Sequence, residues 1–257
     1  MSVLAIRSLA KAFGGVHAVD GVSFDVAKGE FLALIGPNGA GKSTCFNMIN
    51  GQIAPNSGQI LLEGENIAGL PPRSIWRRGV GRTFQIAATF GSMTVAENVQ
   101  MALISHAHQI FRPWTTAAAL HRERALELLA QVGMAASADR ACRELAYGDV
   151  KRVELAIALG NDPRLLLMDE PTAGMAPKER NELIALVKRL VVERSISVLF
   201  TEHSMDVVFA FADRIIVLAR GKLIADGDAR SIRDDPKVQE VYFGTGKTFE
   251  RTARSAT

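Results

Sequence analysis

The chain reads Phe-Leu-Ala-Leu-Ile-Gly-Pro-Asn-Gly-Ala-Gly-Lys-Ser-Thr over residues 31–44. The apolar run at 31–35 is typical of a strand that is buried on both faces. Residues 36–44 match the phosphate-binding pattern G-x-x-x-x-G-K-[ST], and residues 45–50 lack Pro and Gly, which predicts a helix that stops at Gly51. Such a strand, turn and helix start surround an anion with backbone N–H groups and the helix dipole, so a nucleoside triphosphate site is predicted.

Two side chains of this loop have predicted roles. Lys42 is expected to reach the β- and γ-phosphates, and Ser43 is expected to hold Mg²⁺. The alternative, a chance glycine-rich turn, is disfavoured because strand, motif and helix occur together. The predicted nucleotide-binding set is the whole loop: Gly36, Pro37, Asn38, Gly39, Ala40, Gly41, Lys42, Ser43 and Thr44.

The bulk composition indicates a globular protein. The chain has 257 residues, of which 48% are hydrophobic and 22% are charged. This length suits one large domain or two small ones. The net charge of +3 is small and interspersed, so no nucleic-acid partner is expected.

The sequence also bears on location. Two cysteines, Cys45 and Cys142, are too few for a disulfide framework and suit a reducing cytosol. No apolar run approaches the ~18 residues needed to cross a bilayer. The first ten residues carry one Arg and no long apolar stretch, so no secretory signal is expected.

Alternating patterns predict an α/β fold with a mostly parallel core sheet. The predicted strands are residues 3–9, 23–26, 31–35, 59–63, 165–168, 197–201 and 214–218, and the predicted helices are 121–131, 149–159 and 177–194. The helical block at about 90–160 is interpreted as an inserted subdomain of one unit spanning residues 1–244. The polar tail at 245–257 is expected to be disordered.

A second motif lies at residues 165–170, where four apolar residues precede Asp169 and Glu170. Functional groups of parallel sheets sit at the carboxyl ends of strands. Asp169 is therefore expected near the phosphates as a ligand of Mg²⁺, and Glu170 is positioned to orient or deprotonate an attacking water. The alternative, two solvated carboxylates, is disfavoured by the presence of the phosphate loop.

Four further features are weak alone and gain weight from their order. Phe13 could stack on adenine, Gln85 could reach Mg²⁺ or the attacking water, and His203 could contact the γ-phosphate. Residues 145–149 (Leu-Ala-Tyr-Gly-Asp) precede a predicted helix and could offer a second anion site. Each also has a non-functional interpretation: Phe13 as a core aromatic, Gln85 as a surface amide, His203 as a histidine at the end of a strand, and residues 145–149 as an ordinary helix start.

Together these motifs resemble those of the ATP-binding cassette (ABC) family over almost the whole chain. The resemblance implies the ABC cassette fold: a P-loop NTPase core with an antiparallel β-subdomain and an inserted helical subdomain. It implies ATP as substrate, with Phe13 as the aromatic loop and Gln85 as the Q-loop. Glu170 would be the catalytic carboxylate and His203 the switch histidine. The family signature, which binds the ATP of a partner subunit, corresponds to Leu145, Ala146, Tyr147, Gly148 and Asp149, and the metal ligands to Ser43, Gln85 and Asp169.

Finer features resemble the LivG-type ATPases of branched-chain amino acid importers. They are the stretches at 79–85, 93–98, 145–149, 170–175, 232–238 and 241–244. The chain departs from the general family at the signature, where Ala146 and Tyr147 replace Ser and Gly, and at Ala176, where Asp is usual. The lost serine hydroxyl removes a hydrogen bond to a charged group, worth about 1.5–3 kcal/mol.

The resemblance implies two cassettes facing head to tail on two membrane permease subunits, at the cytoplasmic face of the membrane. Substrate choice would lie in the permeases and in a periplasmic or extracellular solute-binding protein. Uptake of urea or another polar solute, lipid export and a non-transport ABC ATPase remain alternatives. A nucleotide-sensing scaffold is disfavoured by the intact Glu170 and His203, and a GTPase by the lack of an Asn-Lys-x-Asp motif. The segment at 104–119 is interpreted as a packed surface loop, with partner docking as the alternative.

Overall fold

The structure, a computed structural model, describes residues 2–83, 89–107 and 120–243. The strands are β1 (Ser2–Phe13), β2 (Val16–Ala27), β3 (Phe31–Ile35), β4 (Ser57–Leu62), β5 (Glu65–Asn66), β6 (Val80–Thr83), β7 (Leu165–Asp169), β8 (Ser197–Thr201), β9 (Arg214–Ala219) and β10 (Lys222–Gly227). The helices are α1 (Lys42–Ile49), α2 (Pro72–Arg77), α3 (Val95–His106), α4 (Arg122–Gln131), α5 (Tyr147–Ala158), α6 (Pro177–Arg194), α7 (Met205–Phe211), α8 (Ala229–Asp234) and α9 (Pro236–Phe243).

A six-stranded sheet forms the centre of the molecule in the order β10-β9-β3-β8-β7-β6. Its pairs are parallel except β10 with β9. Side chains alternate between the two faces, so Phe31, Ala33 and Ile35 enter one apolar core while Leu32 and Leu34 enter the other. Burial on both faces explains the unbroken apolar runs in the sequence.

A four-stranded antiparallel sheet, in the order β2-β1-β4-β5, covers one face of the central sheet. The core between the two sheets contains α1, which contributes Phe46 and Ile49. Helix α1 ends in a Schellman motif, because Gly51 has φ +74° and the N–H of Gln52 donates to Asn47 O at 2.8 Å. The predicted stop at Gly51 is thus confirmed.

Helices α3 to α6 pack over the other face, where they share one core with β3, β7 and β8. Helix α3 begins with a capping box, in which Thr94 and Glu97 satisfy each other's backbone N–H groups. Gly133, with φ +75°, follows the end of α4 as expected. The helical-subdomain boundaries at about 90–160 stay a prediction.

The predicted α/β class is confirmed, and each predicted strand and helix has a counterpart. Helix α3 continues to His106, so the predicted loop at 104–119 was wrong at its start; residues 108–119 lie outside the described residues. Gln85 and the tail at 245–257 also lie outside them.

Candidate nucleotide-binding site

Three neighbouring parallel strands end at the same edge of the central sheet. Strand β3 leads into the phosphate loop, β7 ends at Asp169, and β8, which lies between them, ends at Thr201. Because parallel strands share their carboxyl edge, the order of the strands brings the loop and the carboxylates together. The charges of Asp169 and Glu170 both raise the pKa of Lys42, which is in keeping with this arrangement; the roles of these residues stay a prediction.

The phosphate loop depends on glycine where it approaches other backbone. A Cβ on Gly36 would lie 2.1 Å from Leu218 O, and a Cβ on Gly41 would lie 2.2 Å from Ala18 O. Gly41 also has φ +105° and serves as the N-cap of α1, which has no side-chain cap. The first N–H groups of α1 are therefore open to an anion, as in other helix starts that bind phosphate.

Lys42 folds back onto the loop. Its Nζ donates to Gly36 O at 2.7 Å and to Pro37 O at 3.2 Å, and the residue is buried. Burial lowers the pKa of Lys42, while the charges of Glu170 and Asp169 partly offset that effect. A buried ammonium held against the loop carbonyls is suited to form charge-assisted hydrogen bonds with phosphate oxygens.

Asp169 is held from two sides. Thr201 Oγ1 donates to Asp169 Oδ1 at 2.8 Å, and Arg82 Nη2 lies 3.4 Å from Asp169 Oδ2. Arg82 Nη2 also donates to Asn47 Oδ1 at 2.9 Å, which links β6 to α1. Burial lowers the pKa of Arg82, and Asp169 partly offsets the effect. These contacts leave the carboxylate 14% exposed and fix its orientation.

Glu170 and His203 contact each other directly, with His203 Nε2 2.7 Å from Glu170 Oε1. The backbone of Glu170 has φ +48°, a left-handed conformation that is rare for a residue with a Cβ. Its N–H is held by Thr201 through both the carbonyl at 3.2 Å and Oγ1 at 3.0 Å. The strained turn aims the carboxylate at the histidine, and strain of this kind concentrates at functional sites.

A buried carboxylate holds the loops after β7 and β8 together. Glu202 Oε1 accepts from Thr172 N at 3.0 Å and from Thr172 Oγ1 at 2.6 Å, and Glu202 Oε2 accepts from His203 N at 3.2 Å. The Glu202 bridge thereby fixes the backbone on which Glu170 and His203 stand. Sequence reasoning missed Thr201, Glu202, Arg82 and Thr172, although a polar residue that ends a buried strand is a usable signal for Thr201.

Phe13 lies at the tip of the β1–β2 hairpin, opposite Val16. It is about half exposed, and Lys11 Nζ lies 5.3 Å from its ring centroid. The same hairpin contacts the phosphate loop, since Ala18 O would meet a Cβ on Gly41. An exposed aromatic ring on this hairpin is available for stacking on a base; the stacking itself stays a prediction.

The predicted signature lies at the start of α5 and packs against the segment after β7. A Cβ on Gly148 would lie 3.5 Å from Met175 Cε, and a Cβ on Gly174 would lie 3.8 Å from Tyr147 Cε1. Ala146 and Ala176 are both exposed, and each is an N-cap, of α5 and α6, without a side-chain hydrogen bond. Two of the three departures from the family pattern, Ala146 and Ala176, therefore occupy the same structural position on two neighbouring helices.

Within the described ranges, no three His, Cys, Asp or Glu side chains come together as a metal site. Mg²⁺ does not require such a cluster, because it commonly binds one or two carboxylates, waters and phosphate oxygens. The oriented carboxylate of Asp169 and the exposed hydroxyl of Ser43 have the hard oxygen chemistry that fits this ion.

These features define a P-loop nucleotide-binding protein. The family model described as "ABC transporter" matches residues 19–173, more than half of the chain, and the chain belongs to this family, whose characteristic activity is ATP hydrolysis. A second model, "Branched-chain amino acid ATP-binding cassette transporter", matches residues 222–248.

Two curated relatives carry the name "high-affinity branched-chain amino acid transport ATP-binding protein". BraF of Pseudomonas aeruginosa is 40% identical over 249 residues, covering 94% of this chain and 98% of the relative. LivG of Escherichia coli strain K12 is 38% identical over 253 residues, with the same coverage. The predicted resemblance to LivG-type proteins is confirmed.

Solved cassettes share the fold. One, the ADP conformation of a cassette of an ABC transporter, has a TM-score of 0.85 and 33% identity, covering 95% of this chain and 99% of that one. Another is a dimer in a post-hydrolysis state with ADP and Pi, with a TM-score of 0.74 and 27% identity over 88% of this chain and 99% of that one. None of the helices in the described part of this chain is long and apolar enough to span a membrane.

Proposed function

We propose that this chain is the ATP-hydrolysing subunit of an ABC importer for branched-chain or related amino acids. The observation that carries the chemistry is the convergence of Lys42, Asp169 and Glu170 at one sheet edge. The solute class is supported by the names of the relatives and by the match of the second family model to residues 222–248. Uptake of urea or another polar solute by the same machinery is the alternative that a transport assay would separate.

In the proposed reaction, water attacks the γ-phosphorus of ATP and the bond to the β,γ-bridging oxygen breaks, which gives ADP and phosphate. Lys42 exchanges its carbonyl contacts for phosphate oxygens, and the N–H groups of α1 bind the same anion. Ser43 and Asp169, with Gln85 as the predicted third ligand, would hold Mg²⁺, which supplies charge neutralisation when bound.

Glu170 is the proposed base or orienting group for the attacking water. Its partner His203 fixes the carboxylate through the Nε2–Oε1 contact and offers a hydrogen-bonding group near the γ-phosphate. Glu202 maintains this pair indirectly by joining the two loops that carry it.

The proposed assembly is a head-to-tail pair of cassettes on two permease subunits at the cytoplasmic face of the membrane, served by a solute-binding protein. The dimeric post-hydrolysis cassette supports the pairing. Ala146 and Ala176, exposed on adjoining helix starts, support a second, different cassette as the partner, because a homodimer would carry both losses at each site.

Substitution of Lys42 tests the phosphate site. We expect Lys42→Ala to lose affinity for a fluorescent ATP analogue while the protein stays folded, with the exposed Lys28→Ala as the control. If folded Lys42→Ala binds the analogue with unchanged affinity, residues 36–44 are not the phosphate-binding loop.

Substitution of Glu170 tests the base. Glu170→Gln should lower turnover by a factor of about 10²–10⁴, retain ATP binding and accumulate as an ATP-bound dimer on size-exclusion chromatography. Glu193→Gln, on an exposed part of α6, is the control. Turnover at the wild-type rate would rule out the role of Glu170.

The partner is tested by purifying the complex from native membranes and identifying its subunits by mass spectrometry. A second cassette and two permeases are expected. Two copies of this chain with no second cassette would refute the heterodimer and leave the transport function standing.

A further inference from the structure

Arg82 joins helix α1 to the carboxyl end of β7 through a single side chain. Its Nη2 donates to Asn47 Oδ1 at 2.9 Å and to Asp169 Oδ2 at 3.4 Å. Its Nη1 donates to Gln52 Oε1, just beyond the end of α1, at 3.4 Å. The side chain of Arg82 is 7% exposed and that of Asp169 is 14% exposed, so little water competes for these hydrogen bonds.

The register of the central sheet places Arg82 on the face that α1 covers. Arg82 is paired with Leu167 in the parallel ladder of β6 and β7, so the two side chains point to the same face. Leu167 shares its apolar core with Phe46 of α1, and Asp169 follows Leu167 by two residues on that face. A guanidinium at this register position therefore reaches both α1 and the carboxylate.

The acceptor on α1 is close to a proposed metal ligand. Asn47 lies one helical turn after Ser43, and residues four apart occupy the same face of a helix. Of the proposed Mg²⁺ ligands, Ser43 and Asp169 lie in the part of the chain that the structure describes. Arg82 thus contacts one of these ligands directly and contacts the helix of the other one turn away from it.

The distance between the two ligands matters for this ion. Mg²⁺ requires near-ideal octahedral geometry, so its affinity depends on how the oxygen ligands are spaced. Ser43 and Asp169 belong to different elements, and Arg82 forms a polar link between those elements. A change in this link would move the hydroxyl relative to the carboxylate.

We propose that Arg82 is a positioning residue for the Mg²⁺ site, which sets the spacing between Ser43 and Asp169. The inference rests on the proposed function, because it assumes that these two residues hold the metal ion of bound ATP. The role depends on the shape of the guanidinium, which presents its N–H donors in a fixed plane. Lysine carries a compact charge on a flexible stem, so Arg82→Lys keeps the charge and loses the fixed link.

The test measures how binding of a non-hydrolysable fluorescent ATP analogue to the full chain depends on Mg²⁺ concentration. For Arg82→Lys we expect the Mg²⁺ concentration at half-maximal gain in affinity to rise about 10- to 100-fold, as for other losses of a group that orients a metal ligand. The Kd measured in EDTA should stay at the wild-type value, because Lys42 and its loop contacts are unchanged.

Asn47→Ala is the second variant, because it removes the acceptor on α1 and keeps the ion pair of Arg82 with Asp169. We expect the same shift in the Mg²⁺ dependence, smaller in size. If Arg82→Lys does not fold, Asn47→Ala decides the question alone. Arg189→Lys, the same exchange at an exposed position of α6, is the control and should behave as wild type.

Thermal denaturation of the metal-free variants separates positioning from a purely structural role. A structural role would lower the melting temperature or raise the Kd in EDTA and leave the Mg²⁺ dependence at that of the wild type. That result, or wild-type behaviour of both variants, would overturn the proposal and leave the proposed function standing. If the wild type binds the analogue without any dependence on Mg²⁺, the metal site and this proposal both fail. If the wild type does not bind it at all, the proposed function fails as well.

Discussion

Replacing Thr201 by Val should disturb the positions of Asp169 and Glu170 while preserving the shape of the core. Thr201 is fully buried, and Val matches its volume. The change removes the donor to Asp169 Oδ1 and one of the two acceptors of the Glu170 N–H, whose bond to Thr201 O remains. The lost charge-assisted bond is worth about 1.5–3 kcal/mol and the second loss adds less than about 1 kcal/mol, so we expect about 1.5–4 kcal/mol of destabilisation.

In a chain of this size each kcal/mol lowers the melting temperature by about 2–4 °C, so thermal denaturation should show a decrease of about 3–16 °C. ATP turnover should fall about 10- to 100-fold, as for other losses of a group that orients a functional carboxylate. Thr201→Ser retains the hydroxyl and is the matched control. The reasoning is refuted if Thr201→Val turns over ATP at the wild-type rate, or if Thr201→Ser loses as much activity as Thr201→Val.

Three further predictions concern other parts of the site. Ala146→Ser and Ala176→Asp should each stabilise the chain by about 0.5–2 kcal/mol, measured by denaturant unfolding, because each supplies an N-cap oxygen; no gain would contradict the cap assignment. Gly41→Ala should abolish binding of the ATP analogue because its Cβ would meet Ala18 O, whereas Gly29→Ala, which has a similar left-handed φ but open space, should bind normally. Cys45 is fully buried, and burial raises the pKa of its thiol to about 12, so iodoacetamide at pH 8.5 should modify it only after unfolding. For the same reason the thiol's contribution to stability should be lost as the pH rises from about 9 toward 12, and native-state labelling at the rate of a free thiol would disprove its burial.

The sequence predicted the central sheet well where strands are buried on both faces. Strands β3, β7 and β8 are short, apolar and local in their signal, and their bounds agree with the prediction within one residue. Strand β6 was not predicted, because Gly81 and Arg82 interrupt any apolar pattern. Strand β1 was predicted to stop at residue 9, whereas it continues to Phe13 through several register shifts, one of which spans Ser8, a residue with φ +46°.

In the candidate site, too, residues with a local sequence signal were predicted and residues without one were missed. Lys42, Asp169 and Glu170 were found because each belongs to a contiguous motif. Thr201 and Arg82 were missed because their contacts with Asp169 depend on which strands are neighbours, and strand order is not a local property of the sequence.

At Glu170, the backbone conformation that places the carboxylate beside His203 also lowers the stability of the fold. At φ +48° a glycine would fit with less strain, but glycine has no carboxylate to place beside His203. The chain therefore retains an unfavourable conformation of order 1–3 kcal/mol at this residue, and the neighbouring Thr201 and Glu202 contacts must offset it. Selection for greater stability alone would favour loss of the carboxylate, so any stabilised variant of this protein should be checked for turnover at this position first.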